Sequence, residues 1–256
     1  MTTEHTGEAG DQPTGRGEDT VWDSLGSALV SALHLPVPPV GITFCDDEQP
    51  EVPRFDAPLS APADDGRRGR VAAGCVFWVH GAERSFSTEA EDHGNCSVGQ
   101  LTHGLAALAD VAGHDDVGAL IGSGWVDDAA IGSVPRVQTR HRFVIYGPLG
   151  RTGVAPDVVL IRVNGRQMMV MHDAVPAMSI EGKPQCHIVA LAHEHGQVAA
   201  SVGCALSRAR TGMRPEEMTC AIPGPRLAEV VAAVQRTGEV DTLVATYAAR
   251  DARRSA

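Results

Sequence analysis

Apolar and polar positions follow one another along this chain with changing period, and each change marks an element boundary. Residues 1–19 hold almost no apolar side chain and are rich in Gly, Thr, Glu and Asp, so they read as a disordered tail. From Val21 the pattern turns helical. Val21, Leu25, Ala28, Leu29, Ala32 and Leu33 fall on one helix face and predict an amphipathic helix over 21–34. Thr20 with Asp23 resembles a capping box at its start, and Pro36, Pro38 and Pro39 stop it. VGITF, 40–44, reads as a strand. Residues 46–70 are acidic and proline-bearing and read as a surface loop. AAGCVFWVHGA, 72–82, is uniformly apolar and compatible with either helix or strand, and helix is the reading adopted. SFST, 85–88, reads as a short strand.

In the second half, Val98, Leu101, Leu105, Leu108, Ala109 and Val111 give a helical stripe and predict one helix over 97–111, followed by a short one over 117–122. RFVIYGPL, 142–149, and DVVLIRV, 157–163, are continuous apolar runs of the kind found in a buried sheet. GRQMMVMHDAV, 165–175, is built of good helix formers, and 186–195 is a further helix candidate. VAASVGCAL, 198–206, and MTCAI, 218–222, read as strands. PRLAEVVAAVQR, 225–236, is a helix with Pro225 at its first position and Gly238 beyond its end. Helices and strands mix without a regular βαβ alternation. The expected class is therefore α+β, a single mixed domain with a central sheet flanked by helices. That domain spans 20–238, between the 1–19 tail and a polar C-terminal tail at 239–256.

At 43% hydrophobic the chain can bury a large core, with aromatics contributing only 4%. A net charge of −11 argues against nucleic-acid partners and anionic membrane surfaces. No apolar run reaches the roughly 20 residues needed to span a bilayer, and the N-terminus lacks the features of a secretory signal. The expected location is the cytoplasm, where disulfides are rare, so the six cysteines are expected to be thiols.

No two cysteines form a C-x-x-C pair, which excludes a zinc ribbon or a thioredoxin-like motif. Cys96, in EDHGNCSVGQLTHGL, stands where a helix begins, and helix N-terminal amides favour a thiolate there. His103 lies close to two turns on, with Gln100 between, and His93 precedes it by three residues. A thiolate with imidazole neighbours can bind a soft or borderline metal or act as a nucleophile. A buried thiol beside a surface histidine is equally consistent with these residues. Cys75, near Trp78, reads by itself as a core thiol. Cys204 follows Gly203 at the end of an apparent strand. Cys186 heads a helix candidate bearing His187, His193 and His195. Met168, Met169, Met171 and Met178 read as core filler rather than copper ligands. Neither GSGW at 122–125 nor GPLGRTG at 147–153 fits a P-loop or dinucleotide fingerprint.

Taken in order, LPVPPVGITF, GCVFWVHGA, FSTEAEDHGNCSVGQLTHG, PDVVLIRVNGRQMMVMHDA, SVGCALSR and EEMTCAIPG resemble a prokaryotic family known as domain of unknown function 169, once described as archaeal cysteine-rich. The resemblance runs from about residue 22 to about residue 236. It implies that Cys75, Cys96 and Cys204 belong to one pattern, with Cys186 as a candidate fourth member and Cys45 and Cys220 outside it. Thiolates drawn together in that way suit an iron–sulfur cluster or a closed zinc site. The family has no settled activity, and the resemblance therefore names no reaction.

Three readings follow. The first is a cysteine-ligated metalloprotein holding iron–sulfur or another thiophilic metal through Cys75, Cys96, Cys204 and Cys186, with His93 and His103 as an extra ligand or supporting the ligands, a redox or Lewis-acid role, and an unidentified small-molecule substrate or redox partner. The second is a metal-free thiol enzyme with Cys96 as nucleophile and His93 or His103 as base. The third is a small-molecule or partner-binding module with structural thiols.

Overall fold

A computed structural model describes residues 16–56 and 73–254. Its centre is one sheet of strands β1 (Val40–Cys45), β2 (Phe86–Thr88), β3 (Phe143–Pro148), β4 (Val158–Asn164), β5 (Ser179–Glu181), β6 (Ala199–Ser201) and β7 (Glu217–Pro223). Their spatial order is β2-β3-β1-β4-β7-β6-β5. The pairings are antiparallel except β5 with β6. The fold is α+β, as the mixed pattern of elements predicts.

The central strands read as continuous apolar runs because both faces of the sheet are covered. Successive side chains point to opposite faces. Val159, Ile161 and Val163 of β4 enter one core, while Val158 and Leu160 enter the other. The first core is closed by α1 (Arg16–Leu33), α7 (Gly165–Ala174) and α10 (Leu227–Arg254). Leu29 and Leu33, Met168 and Met171, and Leu227, Val230 and Val234 carry the apolar stripes of those helices into it. The second core lies under α2 (Gly74–Gly81) and α8 (His187–His195), which contribute Phe77, Trp78, Ile188 and Val189. Around this second face run α3 (Ser97–Thr102), α4 (Leu108–Val111), α5 (Asp115–Gly122), α6 (Asp128–Ser133) and α9 (Ala205–Thr211). A satellite cluster of Leu101, Val111, Val117 and Ile131 binds α3 to α6 together.

Four expectations need correction. The helix expected over 97–111 is two helices, because Gly104 turns left-handed at φ 69° and caps the first. There the Gly104 N–H bonds Leu101 O and the Leu105 N–H bonds Gln100 O. The strand expected over 198–206 ends at Ser201, and Cys204 instead starts α9, whose Ala-Leu-Ser-Arg sequence carries no apolar stripe to announce it. The last helix does not stop at Gly238. Residues 239–254 are mostly good helix formers, and one glycine costs only about 1 kcal/mol, so the expected polar tail is an exposed extension of α10. The N-terminal helix begins at Arg16, inside the segment expected to be disordered. Residues 1–15, and 57–70 of the expected loop, lie outside the described residues.

Candidate cysteine site

Four of the six cysteines stand at helix starts. Cys75 is the second residue of α2, and Cys96, Cys186 and Cys204 are the N-caps of α3, α8 and α9. All four line one cavity of about 30 Å³ on the second face of the molecule, roughly the volume one water occupies in the liquid. Local geometry holds each thiol in place. A Cβ built on Gly99 would stand 3.6 Å from Cys96 Sγ and 3.9 Å from the Gly74 nitrogen, so a bare Gly99 lets the start of α2 come close beside Cys96. The Thr102 hydroxyl lies against the Cys186 thiol. Cys204 Sγ accepts the Ser207 N–H at 3.3 Å, and Ser207 Oγ accepts the Cys204 N–H at 3.1 Å. Ser207 also donates to Gln185 Oε1, whose amide nitrogen donates to Thr219 Oγ1 at 2.6 Å. That buried chain joins the segment before Cys186 to the start of α9 and to β7.

The electrostatics are those of crowded thiols. By accessible surface all four are half-buried, which reflects the cavity opening, yet protein atoms pack closely round Cys75 and Cys186. Burial first, and then the neighbouring Cys96 and Cys204, push Cys75 up to about 12. Cys186 is raised well above an ordinary thiol by burial and by Cys96, Cys204 and Cys75. Desolvation and like charge both oppose ionisation. Arg210, on the cavity wall, is a cation acting in the opposite sense on Cys75. Leu120 and Trp125 close the outer side, with the Lys183 ammonium 4.5 Å from the Trp125 ring centre.

His93 and His103 are fully buried and line the core behind the cavity rather than the cavity itself. Thr88 donates to Val144 O at 3.0 Å, so its oxygen accepts from His93 Nε2 at 2.9 Å and leaves His93 Nδ1 without a partner. His103 Nδ1 donates to Gly99 O at 2.9 Å, leaving Nε2 unpartnered. These tautomers follow from the bonding pattern. Burial lowers both, His93 well below the usual histidine value and His103 to about 4. Neither makes a hydrogen bond to Cys96 among the described residues. The buried Tyr146 hydroxyl is likewise unpartnered, raised by burial and by Cys75 and Cys186.

Of the residues singled out from sequence, Cys75, Cys96, Cys186 and Cys204 come together. Cys45 ends β1 and Cys220 is buried in the opposite core, and neither lines the cavity. His193 bonds Glu194 at 2.9 Å and packs on Phe44, His187 faces Glu181, and His195 is an exposed-end residue of α8 away from the thiols. Sequence reasoning missed Arg210, Gln185, Ser207 and Trp125. Each becomes significant only through folding, and none lies in a recognisable motif. Among the described residues, no group of three or more His, Cys, Asp and Glu side chains is close enough to close on a single metal ion. No helix there is long and apolar enough to cross a membrane.

A family model described as Uncharacterised ArCR matches residues 28–233. No curated protein and no solved structure matches the chain.

Proposed function

The chain belongs to this family, domain of unknown function 169, and from that premise we propose that it is an iron–sulfur protein whose cluster is held by Cys75, Cys96, Cys186 and Cys204. One observation carries the reading: thiols from four separate helix starts line a single cavity, while the other two cysteines lie elsewhere. The donor set fits a thiophilic group, since four soft sulfurs converge with no carboxylate on the wall. A single ion at ~2.3 Å per bond requires a tight knot of sulfurs, which is not present among the described residues. A polynuclear cluster accepts thiolates spaced more widely, and the cavity of about 30 Å³ must widen to admit one.

A bound cluster supplies one-electron transfer when all four thiolates engage it, and Lewis-acid chemistry at any iron left without one. The chain's own residues prepare for it. Cys75 and Cys186 are held protonated by burial and mutual repulsion, so loading must expel their protons. Arg210 offsets negative charge at the wall. Trp125 and Leu120 limit water. The Ser207–Gln185–Thr219 chain fixes the spacing of two of the four thiols.

Anaerobic purification with iron, acid-labile sulfide and zinc analysis tests the reading. Iron and sulfide are expected in the native protein and in Cys45→Ala and Cys220→Ala. They are expected to be lost, with the visible absorption, in Cys96→Ala and Cys204→Ala. Zinc at one per chain without sulfide would replace the cluster with a closed zinc site. A metal-free protein from iron-replete cells would overturn the proposal.

A further inference from the structure

Beside the cysteine cavity lies a second and much larger one, of about 310 Å³, within the range of small-molecule sites. The two share Cys75 and Gln185 on their walls, so their partition is one layer of side chains thick. Its other walls are mostly apolar, with Val37 and Pro38 from the segment before β1, Val79 of α2 and Leu160 of β4, and they include the Glu83 side chain. Against that background two polar side chains stand out. Arg162 of β4 bonds Glu217 through Nη2 at 2.5 Å, while among the described residues its buried Nε has no partner and Nη1 makes no hydrogen bond. Trp78, only 7% exposed, has its indole N–H unpartnered. Of the remaining polar wall groups, Gln185 is bonded to Thr219 and Ser207, and Thr211 to Ser207 O, while the Glu83 carboxylate is exposed to solvent.

A largely apolar chamber of this size whose buried unmet groups are donors selects a ligand with an apolar body and an oxygen acceptor. A guanidinium held in plane by one carboxylate still presents a free amino group to a second. We infer that this chamber binds a small, largely apolar carboxylic acid, its carboxylate toward Arg162 and its body along Val37, Val79 and Leu160, ending against the Cys75 wall of the cluster site. The inference rests on the proposed function only for what lies behind Cys75. The chamber and its donors exist whatever the thiols hold.

The test uses the full-length protein as purified anaerobically and the probes hexanoate, benzoate and cinnamate, each beside its primary amide. Binding is followed by thermal shift and by ligand-observed NMR. The acids are expected to raise the melting temperature and to bind at least tenfold more tightly than the amides. Val79→Phe, which fills the chamber, should abolish binding, with iron and sulfide content unchanged. Arg162→Gln should bring acids and amides to equal affinity. Bound acid should also perturb the visible spectrum of the cluster. Absence of binding by all three acids at millimolar concentration overturns the inference, as does undiminished binding by Val79→Phe. Loss of the proposed function shows separately, as missing iron and sulfide in a protein that still binds the acids.

Discussion

Burial sets the behaviour of the two histidines behind the cysteine cavity. Burial lowers His103 to about 4 in the folded protein, against about 6.5 in the unfolded chain. Its Nε2 lone pair faces protein with no donor or acceptor to meet it. As the pH falls from 6.5 toward 4, the unfolded chain binds a proton that the folded protein refuses, so stability falls with it. His103 alone accounts for about 3 kcal/mol of that loss, and His93, also depressed by burial, adds in the same direction. Urea midpoints should hold steady between pH 6.5 and about 8, drop steeply below that window, and fall again above it as the raised Cys75 and Cys186 thiols come into play. His103→Asn, which keeps a donor for Gly99 O, should lower stability at neutral pH and flatten the slope. An unchanged slope would mean that His103 does not carry the effect. The same burial explains why sequence spacing misjudged these residues. The seven-residue step from Cys96 to His103 suggested a shared surface, but α3 ends before His103 and turns its ring into the core over Gly74.

At the scale of elements, the meeting of α2 and α3 decides the site's geometry. A Cβ on Gly74 would lie 2.9 Å from His103 Cε1. Gly74→Ala must therefore push apart the two helices that present Cys75 and Cys96. The expected cost is about 1–3 kcal/mol, with lowered iron content. Gly118→Ala, inside α5 with nothing within 4 Å, should be neutral or stabilising by up to about 1 kcal/mol. Thermal melts and iron assays of the two variants together separate packing from helix propensity. What was legible beforehand follows the same division. Local signals at Cys96 and Cys186 marked helix starts, and the apolar stripes of α1, α7 and the first half of α10 marked their buried faces. β5 and α9 were not legible, because their few residues carry neither a period nor an apolar run, unlike the equally short but apolar β1, β3, β4 and β7. The convergence of Cys75, Cys96, Cys186 and Cys204 was implied by the family resemblance and by nothing in their spacing.

For the whole molecule, one sheet serves as the shared wall of two cores, one packed by α1, α7 and α10 and the other carrying the cysteines. Damage to one side is transmitted to the other through strands whose side chains alternate between them. Ile161→Ala, in the core remote from the thiols, should cost about 2–5 kcal/mol and should lower the melting of both faces equally. Trp22 packs against the first core and Trp78 lies in the second. Single-tryptophan forms should therefore report coincident unfolding transitions. Separate transitions would show that the faces fold independently. The route of the chain through this architecture also has a temporal meaning. Cys75 and Cys96 precede β3, whereas Cys186 and Cys204 follow β4, and the sheet that brings the pairs together needs β7, close to the chain's end. A ribosome has therefore delivered nearly the whole domain before the four thiols can face one another. A cluster of the kind proposed could therefore be built into the cavity only after β7 has been made.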